Sequence, residues 1–215
     1  MTYLNLVNSV LRRLREDEIT TVSESDYSRL IGDFVNDAKR QVEDAWDWSA
    51  IRSTFDITTV AGTSSYSLTD FDVRSKVLSV HNETTNQVLH YQSLEHIRQL
   101  TLQNSSATGP VVSYTMDGVD ANGDLKLRLY MTPDAEYSIS VYGVKRTSEL
   151  TNDSDNTLLP TSPIIQYAYA FALRERGETG GQSAVEQSAF AKQDLNNSIA
   201  LDANLRPEEV TWYNG

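Results

Sequence analysis

The 215-residue chain sets 18 Lys and Arg against 30 Asp and Glu, a formal net charge of −12, and contains no cysteine. Its length suits one substantial core or two small ones, at about 100–200 residues per domain. The acidic balance disfavours electrostatic binding to nucleic acid or an anionic membrane. The lack of thiols excludes disulfides, thiolate zinc sites, iron–sulfur clusters and Cys nucleophiles.

Leu4, Val7, Leu11 and Leu14 step by three and four, which predicts an amphipathic helix beginning after Thr2 as N-cap. Arg12, Arg13 and Arg15 cluster at the C-terminal end of this stretch, the reverse of a secretory signal's charge order, so no signal peptide is expected. Tyr27, Ile31, Phe34, Ala38, Val42 and Ala45 predict a second helix capped by Ser25 or Ser23. From Ile51 the period becomes two. Phe55, Ile57 and Thr59 alternate with Asp56 and Thr58, and Ala61-Gly62-Thr63 turns the chain into Ser65 to Leu68, a hairpin signal. A second pairing is expected between Lys76 to His81 and Gln87 to Tyr91, followed by a short helix from Ser93 to Gln103 and a loop over 104–109.

Leu125, Leu127, Leu129 and Met131 mark a strand that Asn122-Gly123, a type I′ dipeptide, joins to Val112, Tyr114 and Met116. Tyr137, Ile139 and Val141 supply a third strand. After a polar loop over 151–157, Ser162 as N-cap and Pro163 at the first position predict a helix to about Glu178, apolar nearly all round and so central to its layer. Its apolar stretch Ile164 to Leu173 is about half the twenty or so residues of a bilayer span, and a soluble chain is expected. Gly180-Gly181 breaks the chain before a last amphipathic helix through Ala184, Ser188, Ala191, Leu195 and Ile199.

Two helices, a long β region, two helices and a tail, without β–α alternation or an internal repeat, predict an α+β fold. Neither helical pair can bury its stripe alone. Residues 1–50 and 158–205 are therefore expected to form one helical bundle, with an antiparallel β insertion over 51–150 and an extended C-terminal arm over 206–215.

Motifs for chemistry are weak. His81, His90 and His96 lie within one stretch, and His81 and His90 fall on strands expected to be neighbours, but no HxH, HxxxH or HExxH spacing accompanies them. Asp117, Asp120, Asn122 and Asp124 resemble a calcium loop until the count from Asp120 puts Leu125 and Met131 where Gly and Glu belong, so they read as turn formers. No G-x-S-x-G elbow appears, and Gly177 to Gly181 lacks the lysine of a phosphate loop. Glu16, Asp17 and Glu18 offset the Arg12 cluster, which argues against specific DNA binding. No enzyme activity, metal or cofactor is expected.

Four segments resemble the head-to-tail adaptor (connector) proteins of tailed bacteriophages, the group that includes tail tubular protein A. They are the opening helix Leu4 to Leu14; the aromatic helix end Val42-Glu43-Asp44-Ala45-Trp46-Asp47-Trp48; Leu129-Tyr130-Met131-Thr132-Pro133 with the strand ending Val141-Tyr142-Gly143-Val144-Lys145; and Leu159-Pro160 before an Ala- and Tyr-rich helix closing at Arg174-Glu175-Arg176-Gly177-Glu178. The resemblance implies a structural protein of the virion neck, assembled in the host cytoplasm. It implies a homo-oligomeric ring of twelve, joined to the portal protein on one side and to the tail tube or nozzle on the other, sometimes with fibres at the rim. Double-stranded DNA would pass through the channel without specific binding, and no membrane is involved. Twelve chains at −12 each carry about −144, and acids facing the channel would repel the DNA backbone.

Arg206, Pro207, Val210, Trp212 and Tyr213 of the arm are the expected portal-binding residues. Trp212 and Tyr213 are large anchors with no local core, and aromatics are common hot spots. The alternative function is a phage adsorption or carbohydrate-binding β module using Tyr91, Tyr114 or Tyr142. Tyr114 shares a face with Val112 and Met116, which counts against it.

Overall fold

Thr2 starts the first helix as expected: its side chain accepts the Asn5 N–H at 3.3 Å, and α1 runs Tyr3–Arg13 with Leu6, Val7, Val10 and Leu11 buried. Of the two candidate serines, Ser25 caps α2 (Asp26–Asp44) through a reciprocal bond with Ser28, and Ile31, Val35, Ala38 and Val42 form its buried stripe. The computed structural model describes residues 1–104, 107–177 and 182–205. By its contacts the chain divides into two compact units, Met1–Ala50 with the chain from Ser148 onward, and Ile51–Thr147.

In the helical unit α4 (Thr161–Glu175) packs on α1, on α2 and on α5 (Gln182–Asn204), so the N- and C-terminal helices form one bundle. Ile164, Ala168, Ala170 and Ala172 of α4 are buried, as are Ala191 and Leu195 of α5. The start of α4 differs from expectation. Pro160 is the N-cap, no side chain caps the helix, and Pro163 sits at the third position. A missing N–H is harmless there too, because none of the first-turn donors has an intrahelical partner. Ser162 is thereby freed to donate to Asp194 of α5 at 2.5 Å. The helix ends at Glu175 rather than Glu178, with Gly177 left-handed after it.

Two asparagines tie the connecting segments onto this bundle. Asn8 donates to the Ile19 carbonyl and accepts the Ile19 N–H, both at 3.0 Å. Asn36 does the same to Leu150, at 3.0 and 2.9 Å. Buried Lys39 donates to the Ser148 carbonyl at 2.8 Å. Each bond satisfies a backbone group that would otherwise be costly to bury.

The β unit holds eight strands and α3. β1 (Arg52–Thr58), β8 (Ser138–Val144), β3 (Lys76–Asn82) and β4 (Gln87–Val88) form one antiparallel sheet in that order. β2 (Ser65–Asp72), β7 (Asp124–Tyr130), β6 (Ser113–Val119) and β5 (His90–Tyr91) form the other, whose only parallel pair among the described residues is β5 with β6. Ile57, Val80, Ile139 and Val141 from the first sheet and Leu68, Tyr114, Leu127 and Leu129 from the second share one core. Period-two alternation gives each strand one buried face, and two such faces close a sandwich.

Several expected pairings are corrected by this topology. Residues 55–59 and 65–68 do not form a hairpin: β1 pairs with β8 and β2 with β7, in different sheets. Ala61-Gly62-Thr63 is a corner that switches sheets, and it runs beside the switch from β7 to β8. Thr59 N–H donates to the Tyr137 carbonyl at 2.9 Å, and Gly62 N–H to the Pro133 carbonyl at 2.8 Å. The strand after Pro133 therefore joins β1 and β3 instead of extending the β6–β7 pair. The pairing of Lys76 to His81 with Gln87 to Tyr91 holds for His81 with Val88, but the chain then crosses to the other sheet at His90.

The β6–β7 hairpin forms, though without a type I′ turn. Among the described residues the only positive-φ non-glycines are Arg15 and Asn86, so Gly123 (φ 90°) alone supplies the left-handed position. Gly143 meets a different constraint: a Cβ there would lie 2.6 Å from the Lys76 carbonyl oxygen and 2.5 Å from a Phe71 ring carbon. α3 (Leu94–Gln103) starts where expected, with Ser93 accepting the His96 N–H at 3.3 Å.

Candidate functional site

The C-terminal end of the helical unit carries the most developed polar constellation. Asp202, in the last turn of α5, is buried, and its carboxylate accepts from Trp46 Nε1 at 2.9 Å, from the Ser49 backbone N–H at 3.2 Å and from Ser49 Oγ at 3.2 Å. An acid near a helix C-terminus opposes the helix dipole, and these donors offset that cost. They also fix the end of α5 on the chain that leaves α2. Trp48, fully buried two residues on from Trp46, donates from Nε1 to the Val42 carbonyl at 2.8 Å, one of the acceptors that the end of α2 leaves unpaired.

Beside Asp202 lies an open groove of about 440 Å³, walled by Trp48, Leu158, Pro160, Leu201 and Leu205. Leu158, Leu201 and Leu205 are exposed by 63%, 69% and 74% and give the groove an apolar wall. The expected portal-binding residues Arg206, Pro207, Val210, Trp212 and Tyr213 lie outside the described residues. Sequence reasoning misses the Trp46–Ser49–Asp202 constellation. Asp202 is about 155 positions from the other two, and an acid in a helix's last turn carries no motif.

A polar recess of about 650 Å³ is lined by Tyr3, Arg29, Asp33, Asn36, Glu149 and Asp153 among others. Burial, and then the charges of Asp33, Asp153 and Glu149, push the Tyr3 phenol from 10 up to about 12. The folded protein thus keeps a proton that the unfolded chain releases above pH 10, and stability falls as pH rises from 10 to about 12. A rise of that size corresponds to on the order of 2–3 kcal/mol. Tyr3→Phe should flatten that part of the alkaline limb in denaturation curves, whereas an unchanged slope between the two proteins would refute the assignment.

The remaining candidates are dispersed. His81 sits on β3 with Nε2 3.2 Å from Ser79 Oγ, His90 on β5 in the opposite sheet, and His96 in the first turn of α3. The expectation that His81 and His90 are neighbours is thereby corrected, because sheet switching at residue 89 parts them. Among the described residues no group of three or more His, Asp or Glu is placed to hold a metal ion.

Asp120 accepts the N–H groups of Asn122 at 2.8 Å and Asp124 at 3.1 Å. A bond from Ser67, then these N–H groups, hold its carboxyl below the usual range. Asp117 pairs with Arg128 at 3.3 Å and Arg98 at 3.6 Å. The acids of that stretch therefore serve a turn and ion pairs. Arg12 pairs with Glu18 at 2.8 Å, and Arg13 donates to Gln166 at 2.7 Å. The three tyrosines do not share one surface: Tyr114 is buried edge-on to exposed Tyr91 on one sheet, and Tyr142 stacks edge-on to His81 on the other.

Among the described residues no helix is long and apolar enough to cross a membrane. No curated protein matches the chain. The model of the SU10 adaptor protein family matches residues 1–211, almost the full length. A match along both units and the segments between them shows the family, and the chain belongs to the SU10 adaptor proteins, structural adaptors of bacteriophages.

Proposed function

We propose that this chain is a head-to-tail adaptor of the tail tubular protein A kind, whose copies close into a twelve-membered ring in the virion neck after assembly in the host cytoplasm. The ring docks beneath the portal, continues the DNA channel and receives the tail tube or nozzle, with fibres at its rim. DNA passes without specific binding, past acidic residues on the channel wall. The helical bundle of 1–50 and 158–205 makes the lateral contacts. The β region of 51–150 meets the tail through its polar turns, and the arm over 206–215 binds the portal through Arg206, Pro207, Val210, Trp212 and Tyr213.

The observation that carries this reading is the family match along nearly the whole chain. The net charge of −12 also supports it, since a channel that must release DNA gains from repelling phosphate. Weak contacts repeated around a ring give tight overall engagement.

The test is mass measurement of the chain alone and with purified portal rings from the same phage. The expected result is a shift from a 24.1 kDa chain to a portal-bound assembly containing about 290 kDa of adaptor, twelve copies. No association at any concentration would overturn the proposal.

A further inference from the structure

The end strands of the two sheets, β1 and β4 in one and β2 and β5 in the other, are not equally protected. β4 and β5 are two residues long, and β2 meets β7 with a register shift between Leu68 and Asp72. The β3–β8 and β6–β7 pairs inside the sheets are shifted as well. β1 runs in unbroken register over its seven residues, from Arg52↔Val144 to Thr58↔Ser138, and carries no lysine and no proline. Short edges, bulges, edge lysines and prolines keep a strand from pairing with another chain, and β1 has none of them. Among the described residues it pairs only with β8, so its other side offers a row of unpaired backbone groups. Arg52, Thr54, Asp56 and Thr58 are exposed along it.

This edge also has a chemical sign. Arg52 has no ion-pair partner among the described residues, and Lys76 stands on the other side of Val144 in the same cross-strand row. Arg52, Ser53 and Thr54 open on an outer-face pocket of about 460 Å³ shared with Ser79, His81 and Tyr142, and no carboxylate lines it. Asp56 lies four residues, about 13 Å, along β1 from Arg52 and accepts from Ser140 Oγ at 2.6 Å. Glu83 bonds through its N–H to the Ser138 carbonyl, at the opposite end of β8 from Val144. On the core side Phe55 is only half-buried, edge-on to Phe71.

From this edge we infer that β1 receives an added strand, an extended segment of the tail tube or nozzle protein with a carboxylate side chain against Arg52 and an apolar one beside Phe55. Main-chain bonds supply the affinity, and the Arg52 pocket and Phe55 select the sequence. In an antiparallel addition the residue facing Phe55 precedes the one facing Arg52 by three positions. The matching segment therefore carries an apolar residue followed three positions later by an acidic one. The inference rests on the reading that the β unit meets the tail, and it adds β1 to the polar turns as the contact.

The test is amide hydrogen exchange, read residue by residue over 52–58, in the full-length chain on portal rings with and without purified tail tube or nozzle protein of the same phage. Alternate β1 amides point to β8 and to the open side. The open-side set is expected to exchange fast without the tail protein and to gain protection with it, in alternation along the strand. Arg52→Glu, at an exposed position, should weaken tail binding by at least about tenfold with the melting temperature unchanged. Binding without new protection in β1 would overturn the inference and leave the tail reading standing. Unchanged affinity of the Arg52→Glu chain would overturn the acidic occupant, and open-side protection already present without the tail protein would give the edge to a second copy. No binding of either tail protein to the unmodified assembly would overturn the tail reading and this contact with it.

Discussion

Removal of residues 206–215 is expected to abolish attachment to portal rings while leaving unfolding of the helical unit nearly unchanged. The cores that hold this unit together are closed by residues of α1, α2, α4 and α5, all at or before Leu195. The Asp202 carboxylate is satisfied by Trp46 and Ser49, so α5 is anchored one turn before the deletion begins. The ten deleted residues include Val210, Trp212 and Tyr213, the large apolar groups nearest the chain end. A truncated Trp or Tyr anchor typically costs a complex more than about 2 kcal/mol, or about thirtyfold, and deletion of both at every subunit multiplies that loss. Co-sedimentation with portal rings reads the first half of the expectation and thermal denaturation the second. Truncated protein that still sediments with portal would remove the arm from the proposed contact.

Trp48→Ala is expected to destabilise the helical unit by about 3–5 kcal/mol, the range for emptying a buried large aromatic site. Trp48 is among the largest fully buried side chains and donates to the Val42 carbonyl at 2.8 Å. Its loss leaves a cavity and also strips the end of α2 of a cap. Trp48→Phe keeps a six-membered ring in the site while removing the N–H and the rest of the indole, and is expected to cost less than Trp48→Ala, at about 1–3 kcal/mol. Chemical denaturation followed by the helical signal measures both variants. A loss below about 1 kcal/mol for Trp48→Ala would show that the site refills or that Trp48 is not anchored there.

The helices were legible because their information is local. Thr2 announces its cap and the Ser23–Ser25 pair narrows the second to two residues, of which the structure uses Ser25, and the steps of three and four from Leu4 and Tyr27 announce the buried faces. The α+β class followed from the order of periods along the chain. Likeness to phage adaptors was carried by strings such as Val42 to Trp48 and Leu159-Pro160, and the family match over residues 1–211 agrees with it at that level.

Pairing was not legible. Phe55, Ile57 and Thr59 alternate in the same way whether their neighbour is 65–68 or 138–144, and only the shared core of the sandwich selects β8 for β1. The same holds at the end of α5. Asp202 is a helix-terminal acid until folding brings Trp46 and Ser49 to it, and Phe190 is one apolar residue in a helix until its neighbours' burial leaves it exposed. Periodicity and capping depend on residues within a turn or a few positions, so the chain by itself determined which elements form and which face each one buries. Which strands pair, which polar groups meet and which apolar faces stay uncovered depend on contacts between residues far apart along the chain, and the tertiary structure alone decided them.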